Sequence, residues 1–260
     1  MRRVLFACCL LAAPFATAES SNPLHVNASL IAGDVIHAPN AMIWTGLRMR
    51  HQPGWHTYWK NPGDAGMPTR IEWTLPDGWS AGGILWPAPQ RIPAGALASY
   101  GYDGDLVLPI KLFPPSSWDG KTRVQISAHA NWLVCKEQCI PENGTLTLAL
   151  PATSAAAEQN LLRTWRTRVP QPFRFATASA RKSQGRLVIT LEPVVAGQFF
   201  PEREELIEPG DPPQFTLSGK RATWSARLGV QGKSLSVPAT IAGVWVPEQG
   251  TPLFVTTKLE

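Results

Sequence analysis

Proline and glycine divide most of this chain into short segments rich in valine, isoleucine, threonine and tryptophan. The 260 residues include 25 prolines and 21 glycines. Segments such as MIWTGLRMR, TRIEWTLP and TRVQISAHANWLV lie between these turn signals. Short alternating segments of this kind are typical of strands with one buried face, and many of them in succession favour an antiparallel β-sandwich. The chain is therefore predicted to be all-β.

One segment departs from this pattern. Residues 153–168 read TSAAAEQNLLRTWRTR and place three apolar side chains at helical spacing, namely Leu161, Leu162 and Trp165. Thr153 or Ser154 can cap such a helix, and Pro170 ends it. The strand pattern resumes afterwards, which predicts β domains over 19–150 and 170–260 joined by a helical connector over 151–169. Each domain has around a hundred residues, enough for its own core.

The first 18 residues have the composition of a secretory signal. Two arginines precede an apolar stretch and a small-residue cleavage site that ends at Ala18. Cleavage there removes Cys8 and Cys9 and leaves Cys135 and Cys139 as the only thiols. A single pair in an exported protein favours a disulfide or dithiol over a cytosolic zinc site.

The charge of the remaining chain gives no indication of a nucleic-acid partner. Removal of Arg2 and Arg3 with the signal leaves 22 of the 24 basic residues against 19 acidic ones, and the basic residues are scattered. Beyond the signal there is no apolar run of the length that spans a membrane. These features predict an exported chain that does not bind nucleic acid.

The four-residue spacing of Cys135 and Cys139 restricts their geometry. On one continuous strand they would lie about 13 Å apart, whereas a disulfide requires Cα atoms within about 7 Å. A hairpin with residues 136–138 as its loop brings them together. The ring is too small to constrain the unfolded chain much, and Lys136 favours a thiolate. A redox pair is favoured, while a structural disulfide and half of a metal site remain open.

Three ordered segments resemble a known family. Residues 54–73, 86–104 and 132–151 are similar to the periplasmic N-terminal region of DsbD/ScsB-type thiol:disulfide interchange proteins. The resemblance covers about residues 25–150 and implies an immunoglobulin-like domain, with a second β-sandwich domain matched by order and size. It also implies that Cys135 and Cys139 are the exchanging pair and that Cys139 bonds to the partner.

The resemblance further implies a role in a periplasmic electron relay. In that family a membrane domain draws electrons from cytoplasmic thioredoxin, and a thioredoxin-like domain passes them to the N-terminal domain, which reduces periplasmic disulfide-handling partners. The expected activity is protein-disulfide reduction with neither cofactor nor metal, and the membrane-embedded reductase is absent from this chain. The alternative is a periplasmic binding module for copper or carbohydrate whose disulfide is structural.

Other candidate site residues surround the pair. Residues 87–102 are predicted to form a mobile cap over the sulfurs, with Tyr100 and Tyr102 as its aromatic cover. His56, Tyr58 and Trp59 are predicted to shape the surface on which the partner docks. Lys136 and Glu137 are predicted to tune the thiols, and Trp132 to fill the sandwich core.

Overall fold

The computed structural model describes residues 24–36, 42–152, 155–175, 177–236 and 239–260. The predicted signal peptide and the predicted helix caps Thr153 and Ser154 lie outside these ranges. Within them, no helix is long and apolar enough to cross a membrane.

The amino-terminal part is an antiparallel β-sandwich, as predicted. Its strands are β1 (Val26–Ile36), β2 (Met42–His51), β3 (His56–Gly63), β4 (Arg70–Thr74), β5 (Ser80–Ala81), β6 (Gln90–Ala94), β7 (Leu97–Asp103), β8 (Asp105–Phe113), β9 (Val124–Cys135) and β10 (Cys139–Leu150). One sheet has the order β1-β2-β8-β5, and the other has the order β10-β9-β3-β7-β6, with β4 also paired to β9. Leu47, Trp59, Leu108 and Trp132 belong to the hydrophobic core of this part.

The predicted helix is present as α1 (Ala156–Thr167). It packs against β1 and β8, and its buried residues are Leu162 and Trp165, two of the three predicted to form its apolar stripe. The Trp165 indole N–H donates to the Asp105 carbonyl oxygen at 3.1 Å. The helix therefore belongs to the outer layer of the sandwich and does more than connect two domains.

The carboxy-terminal part is also β, but its strands form one sheet. They are β11 (Gln171–Pro172), β12 (Thr177–Ser183), β13 (Arg186–Glu192), β14 (Gly197–Pro201), β15 (Gln214–Ser218), β16 (Arg221–Arg227), β17 (Ala239–Pro247) and β18 (Leu253–Leu259), with a short helix α2 (Val230–Ser234) before β17. The order is β14-β17-β18-β12-β13-β16-β15, with β11 also on β18. Two separate sheets were expected here. The difference arises because β18 pairs with both β17 and β12 and so joins two antiparallel halves.

The two parts are in direct contact through apolar and polar groups. The rings of Tyr100 and Phe200 meet edge to face with centroids 5.1 Å apart. The Asn61 side-chain amide donates to the carbonyl oxygens of Pro201 at 2.8 Å and Arg203 at 3.2 Å. Both contacts involve β14 or the segment just after it, so the β3 and β7 strands of the sandwich rest on the carboxy-terminal sheet.

The β6–β7 hairpin makes the second group of these contacts. The Arg91 guanidinium donates to the carbonyl oxygens of Pro209 at 3.0 Å and Gly210 at 3.1 Å. A Cβ atom added to Gly210 would lie 2.1 Å from the Ala96 carbonyl oxygen, so the two backbones touch at the hairpin tip. This hairpin is thus fixed against the carboxy-terminal part.

Candidate redox site

Cys135 and Cys139 are joined by a disulfide at the tip of the β9–β10 hairpin. They face each other as the last paired residues of the two strands, with 1.99 Å between the sulfurs and 4.2 Å between the Cα atoms. The loop between them is closed by a hydrogen bond from the Lys136 N–H to the Gln138 carbonyl oxygen at 3.2 Å. The predicted hairpin with a three-residue loop is confirmed.

The two cysteines differ in their access to solvent. Cys135 is only 3% exposed, whereas Cys139 lies in the exposed stretch that begins at the loop. Thiol–disulfide exchange requires a thiolate to approach a sulfur directly. An incoming thiolate can therefore reach Cys139, while Cys135 is protected by the fold.

The sheet register brings His56 and Tyr58 to the disulfide. His56 pairs with Cys135 across β3 and β9, so the two side chains lie on the same face of the sheet. Tyr58, two residues further on, shares that face. Its hydroxyl donates to Cys139 Sγ at 3.5 Å, since a disulfide sulfur has no proton to donate. The His56 and Tyr58 rings contact each other edge to face, with centroids 5.3 Å apart.

Burial sets the protonation states of these two rings. Burial raises the pKa of the Tyr58 hydroxyl, so Tyr58 stays protonated at neutral pH and can donate to sulfur. Burial also lowers the pKa of His56, with a further lowering from His51 and an opposing effect of Asp103. His56 is therefore predominantly neutral at pH 7, where its ring can accept a proton.

The segment 63–68 covers the Tyr58 ring. Gly66 has a φ of +129°, and a Cβ atom there would lie 2.3 Å from the Tyr58 ring carbons. Pro68 forms a parallel bridge with Tyr58, and neighbouring Met67 is 57% exposed. Only glycine allows the backbone this close to the ring, so this segment forms the lid over Tyr58.

Tyr100 and Tyr102 occupy a different place from the one predicted. Tyr102 pairs with Thr57, so its side chain lies on the sheet face opposite to His56 and Tyr58. Its hydroxyl donates to the Pro87 carbonyl oxygen at 2.7 Å. Tyr100 shares that face and packs on Phe200, and both tyrosines belong to the core. The two rings predicted to form the cap therefore point away from the face that holds the disulfide.

The remaining predicted residues have separate positions. Trp59 was predicted to shape the docking surface, but it is fully buried in the core and cannot contact a partner. Its side chain lies on the sheet face opposite to its neighbour Tyr58. Trp132 is also buried, which confirms its predicted core position. Lys136 and Glu137 are exposed in the hairpin loop, and the Lys136 side chain extends along Gly54. Within the described ranges there is no group of three histidine, cysteine or acidic side chains that could hold a metal ion.

Glu142 is a buried residue of β10, three positions after Cys139, that the sequence pattern did not single out. Its carboxylate accepts hydrogen bonds from the His25 N–H at 2.7 Å, the Val26 N–H at 3.2 Å and the Trp132 indole at 3.1 Å, and it lies 2.9 Å from His25 Nδ1. It thereby joins β10 to the start of β1. The sequence held one indication of this position. Glu142 lies opposite Trp132 in the predicted hairpin, and Trp132 was expected in the core, so the acid beside it could also be expected to be buried.

Residues 28–151 match the family described as thiol:disulfide interchange protein DsbD, N-terminal. The amino-terminal part of this chain belongs to that family. It is a thiol:disulfide interchange domain, and its fold is the expected immunoglobulin-like sandwich. No curated protein sequence matches the chain significantly.

Among solved structures, the DsbD-type domain and the part that follows it align with the N-terminal periplasmic domain of ScsB from Proteus mirabilis. The alignment has a TM-score of 0.69 at 19% identity and covers 90% of this chain and 93% of the other. The two chains therefore share their fold. The periplasmic chaperone SfaE aligns over 90% of this chain and 98% of its own at 8% identity, but its TM-score of 0.23 supports no structural argument.

Proposed function

We propose that this chain is a periplasmic protein-disulfide reductase module that works as part of a larger relay. It receives two electrons from a thioredoxin-like domain supplied by a membrane-embedded reductase, and it passes them through Cys135 and Cys139 to periplasmic disulfide-handling partners. Family membership of residues 28–151 supports thiol–disulfide exchange. Similarity in fold to a domain described as periplasmic supports the compartment.

The difference in exposure between the two cysteines is the observation that carries this proposal. In the reduced module, the accessible Cys139 thiolate attacks a partner disulfide and forms a mixed disulfide while one partner thiolate leaves. The buried Cys135 then attacks Cys139, restores the internal disulfide and releases the second partner thiolate. The module loses two electrons and the partner gains them.

The surface around Cys139 suits a thioredoxin-like partner. His56 pairs with Cys135, and the exposed Met67 belongs to the segment that covers Tyr58, whose hydroxyl contacts Cys139. An unbranched methionine can adapt to different surfaces. Lys136 and Glu137 are exposed in the hairpin loop that precedes Cys139, where they supply charges. We propose that these side chains form the docking surface for the donor and the acceptor alike.

Trapping of mixed disulfides tests the assigned order of the cysteines. A Cys135→Ser variant retains the accessible thiol and lacks the resolving one, so it should accumulate a covalent complex with a thioredoxin. The matched Cys139→Ser variant should form little complex because its remaining thiol is buried. Non-reducing electrophoresis measures both. The reverse pattern would exchange the two roles.

A titration in glutathione redox buffer separates exchange from a structural role. Exchange proteins have reduction potentials of about −270 to −120 mV, whereas structural disulfides typically lie below about −300 mV. We expect the wild-type pair to titrate in the upper range. A potential in the structural range, with no complex from either serine variant, would favour the alternative of a copper- or carbohydrate-binding module.

A further inference from the structure

The structure points to a proton acceptor for the buried thiol of the exchange reaction. We propose that His56 takes the proton from the Cys135 thiol when that thiol attacks the mixed disulfide. The inference rests on the proposed function, because it assigns a residue to the second step of that exchange. Three observations support it, namely the position of His56, the freedom of its ring nitrogens and the charges around it.

The position of His56 follows from strand pairing. His56 and Cys135 are direct cross-strand partners on β3 and β9. Side chains of such pairs share a face, with Cβ atoms about 4.5–5.5 Å apart, which is within reach of an imidazole ring. Because Cys135 is 3% exposed, bulk water has little access to its thiol. A proton leaving that thiol therefore needs an acceptor on the protein.

The ring nitrogens of His56 are available for this role. Among the histidines that the structure describes, the rings of His25, His51 and His129 are each held by a hydrogen bond to a neighbour. His56 is the one whose ring makes no hydrogen bond within the described ranges, although it contacts the Tyr58 ring. Its side chain is half-buried, so it can also return a proton to solvent.

The groups around His56 keep it in the form of a base. His51 at the end of β2 and Asp103 at the end of β7 act on it in opposite directions, and Tyr58 on its own strand is uncharged. Burial and His51 dominate and lower the pKa of His56, so the ring enters the reaction neutral. A neutral imidazole close to a thiol is an arrangement that enzymes use for general base catalysis.

The step is balanced in atoms and electrons. In the mixed disulfide, Cys139 is bonded to a partner sulfur and Cys135 is a thiol. His56 accepts the Cys135 proton, the resulting thiolate attacks Cys139 Sγ, and the bond from Cys139 to the partner breaks. The partner sulfur leaves with the bonding electron pair and is protonated by solvent or by the His56 imidazolium, which returns the ring to its neutral form.

Release of thionitrobenzoate from dithionitrobenzoate, an aromatic disulfide, separates the two steps. Attack by Cys139 of the reduced protein releases the first thionitrobenzoate, and resolution by Cys135 releases the second. Stopped-flow absorbance follows both. We expect His56→Gln to slow the second release by about 10²-fold, which is the effect typical of losing a general base. The first release should be unchanged. The matched control is His129→Gln, about 20 Å further along β9, which should behave as wild type.

The pH profile of the wild-type protein provides a second test, which does not depend on whether a variant folds. The rate of the second release should level off above the titration of an imidazole and fall at lower pH, because protonated His56 cannot accept a proton. A rate that rises steadily up to the range of a free thiol, near a pKa of about 8.5, would overturn the proposal. So would equal rates of second release in His56→Gln and wild type, or equal slowing of both phases.

Failure of the proposed function gives a different result. If the wild-type protein forms no mixed disulfide and releases no second thionitrobenzoate, the exchange assignment fails and the role of His56 fails with it. If the wild type shows both phases and His56→Gln shows both at wild-type rates, only the role of His56 is overturned.

Discussion

The β9–β10 and β6–β7 hairpins lie at opposite edges of the same sheet and have different surroundings. The tip of β9–β10 holds the disulfide and exposes Cys139. The tip of β6–β7 lies against Gly210, and Arg91 beside it is bound to two carbonyl groups of the carboxy-terminal part. One edge of the sheet thus carries an accessible disulfide, and the other joins the two parts of the chain.

The tyrosines of the sheet follow this division. The chain has three tyrosines, and the register places Tyr58 on the face of the disulfide and the other two on the core face. Tyr58 contacts Cys139, and Tyr100 contacts Phe200 of the carboxy-terminal part. The same residue type thus contacts a sulfur atom in one place and packs against an aromatic ring in another.

Substitution of Tyr100 should give the largest effect and tests the joining role of the β6–β7 edge. Tyr100→Ala removes a buried ring from the contact with Phe200, so the free energy of unfolding should fall by about 3–5 kcal/mol. Urea titration measures it, with Tyr100→Phe as the milder control that keeps the ring. Faster alkylation of reduced Cys139 in folded Tyr100→Ala would instead support the cap predicted from the sequence.

Glu142 provides the corresponding test on the β9–β10 side. Glu142→Gln removes the charge that accepts hydrogen bonds from His25, Val26 and Trp132. Because hydrogen bonds to charged groups contribute about 1.5–3 kcal/mol, the free energy of unfolding should fall by about 2 kcal/mol. Glu137→Gln, in the exposed loop of the same hairpin, should leave it unchanged in the same urea titration. Equal losses in both variants would contradict the role of the buried carboxylate.

Removal of the Tyr58 hydroxyl should change reactivity more than stability. A hydroxyl that donates to a thiolate stabilises the charged form, so Tyr58→Phe should raise the pKa of Cys139 by a few tenths to one pKa unit. Because less thiolate is then present at neutral pH, alkylation of Cys139 should slow by roughly three- to tenfold. The rate of iodoacetamide modification of the reduced protein measures this. Tyr102→Phe loses a hydroxyl on the opposite face, and its Cys139 should react at the wild-type rate.

The smallest effect expected is a dependence of stability on pH near the redox hairpin. Burial lowers the folded-state pKa values of His51 and His56, so the unfolded chain binds protons more readily. The free energy of unfolding should therefore be highest above pH 6.5 and decrease as the pH falls through the folded pKa values. Chemical denaturation between neutral pH and pH 5 measures the slope. It should be shallower in a His51→Gln, His56→Gln double variant and unchanged in His129→Gln.

The sequence was sufficient for features that depend on local spacing. The four-residue separation of Cys135 and Cys139 required a turn between two strands, and the apolar spacing of Leu162 and Trp165 required a helix. Each prediction involves residues only three or four positions apart in the chain. The alternation within one strand is likewise visible in the sequence, which is why the sandwich was predicted correctly.

Features that depend on pairing between distant segments could not be obtained in this way. Alternation shows that Tyr100 and Tyr102 share a face, but only the register between β7 and β3 shows that this face is opposite to Cys135. The single carboxy-terminal sheet depends on β18 pairing with β12, almost eighty residues earlier in the chain. The contact between Tyr58 and Cys139 also joins distant segments, and their separation of 81 residues left no local signal.

The three-residue loop of the redox hairpin also has a consequence for the residence time of partners. Once Cys139 is bonded to a partner, the Cys135 thiol is tethered beside it at an effective concentration that reaches the millimolar range or more for short tethers. Free thiols from solution must compete with this internal one. In the proposed exchange, the protein itself would therefore limit how long a partner stays attached. We expect each partner molecule to leave after a single exchange, so that a small pool of the module can serve many partner molecules in turn.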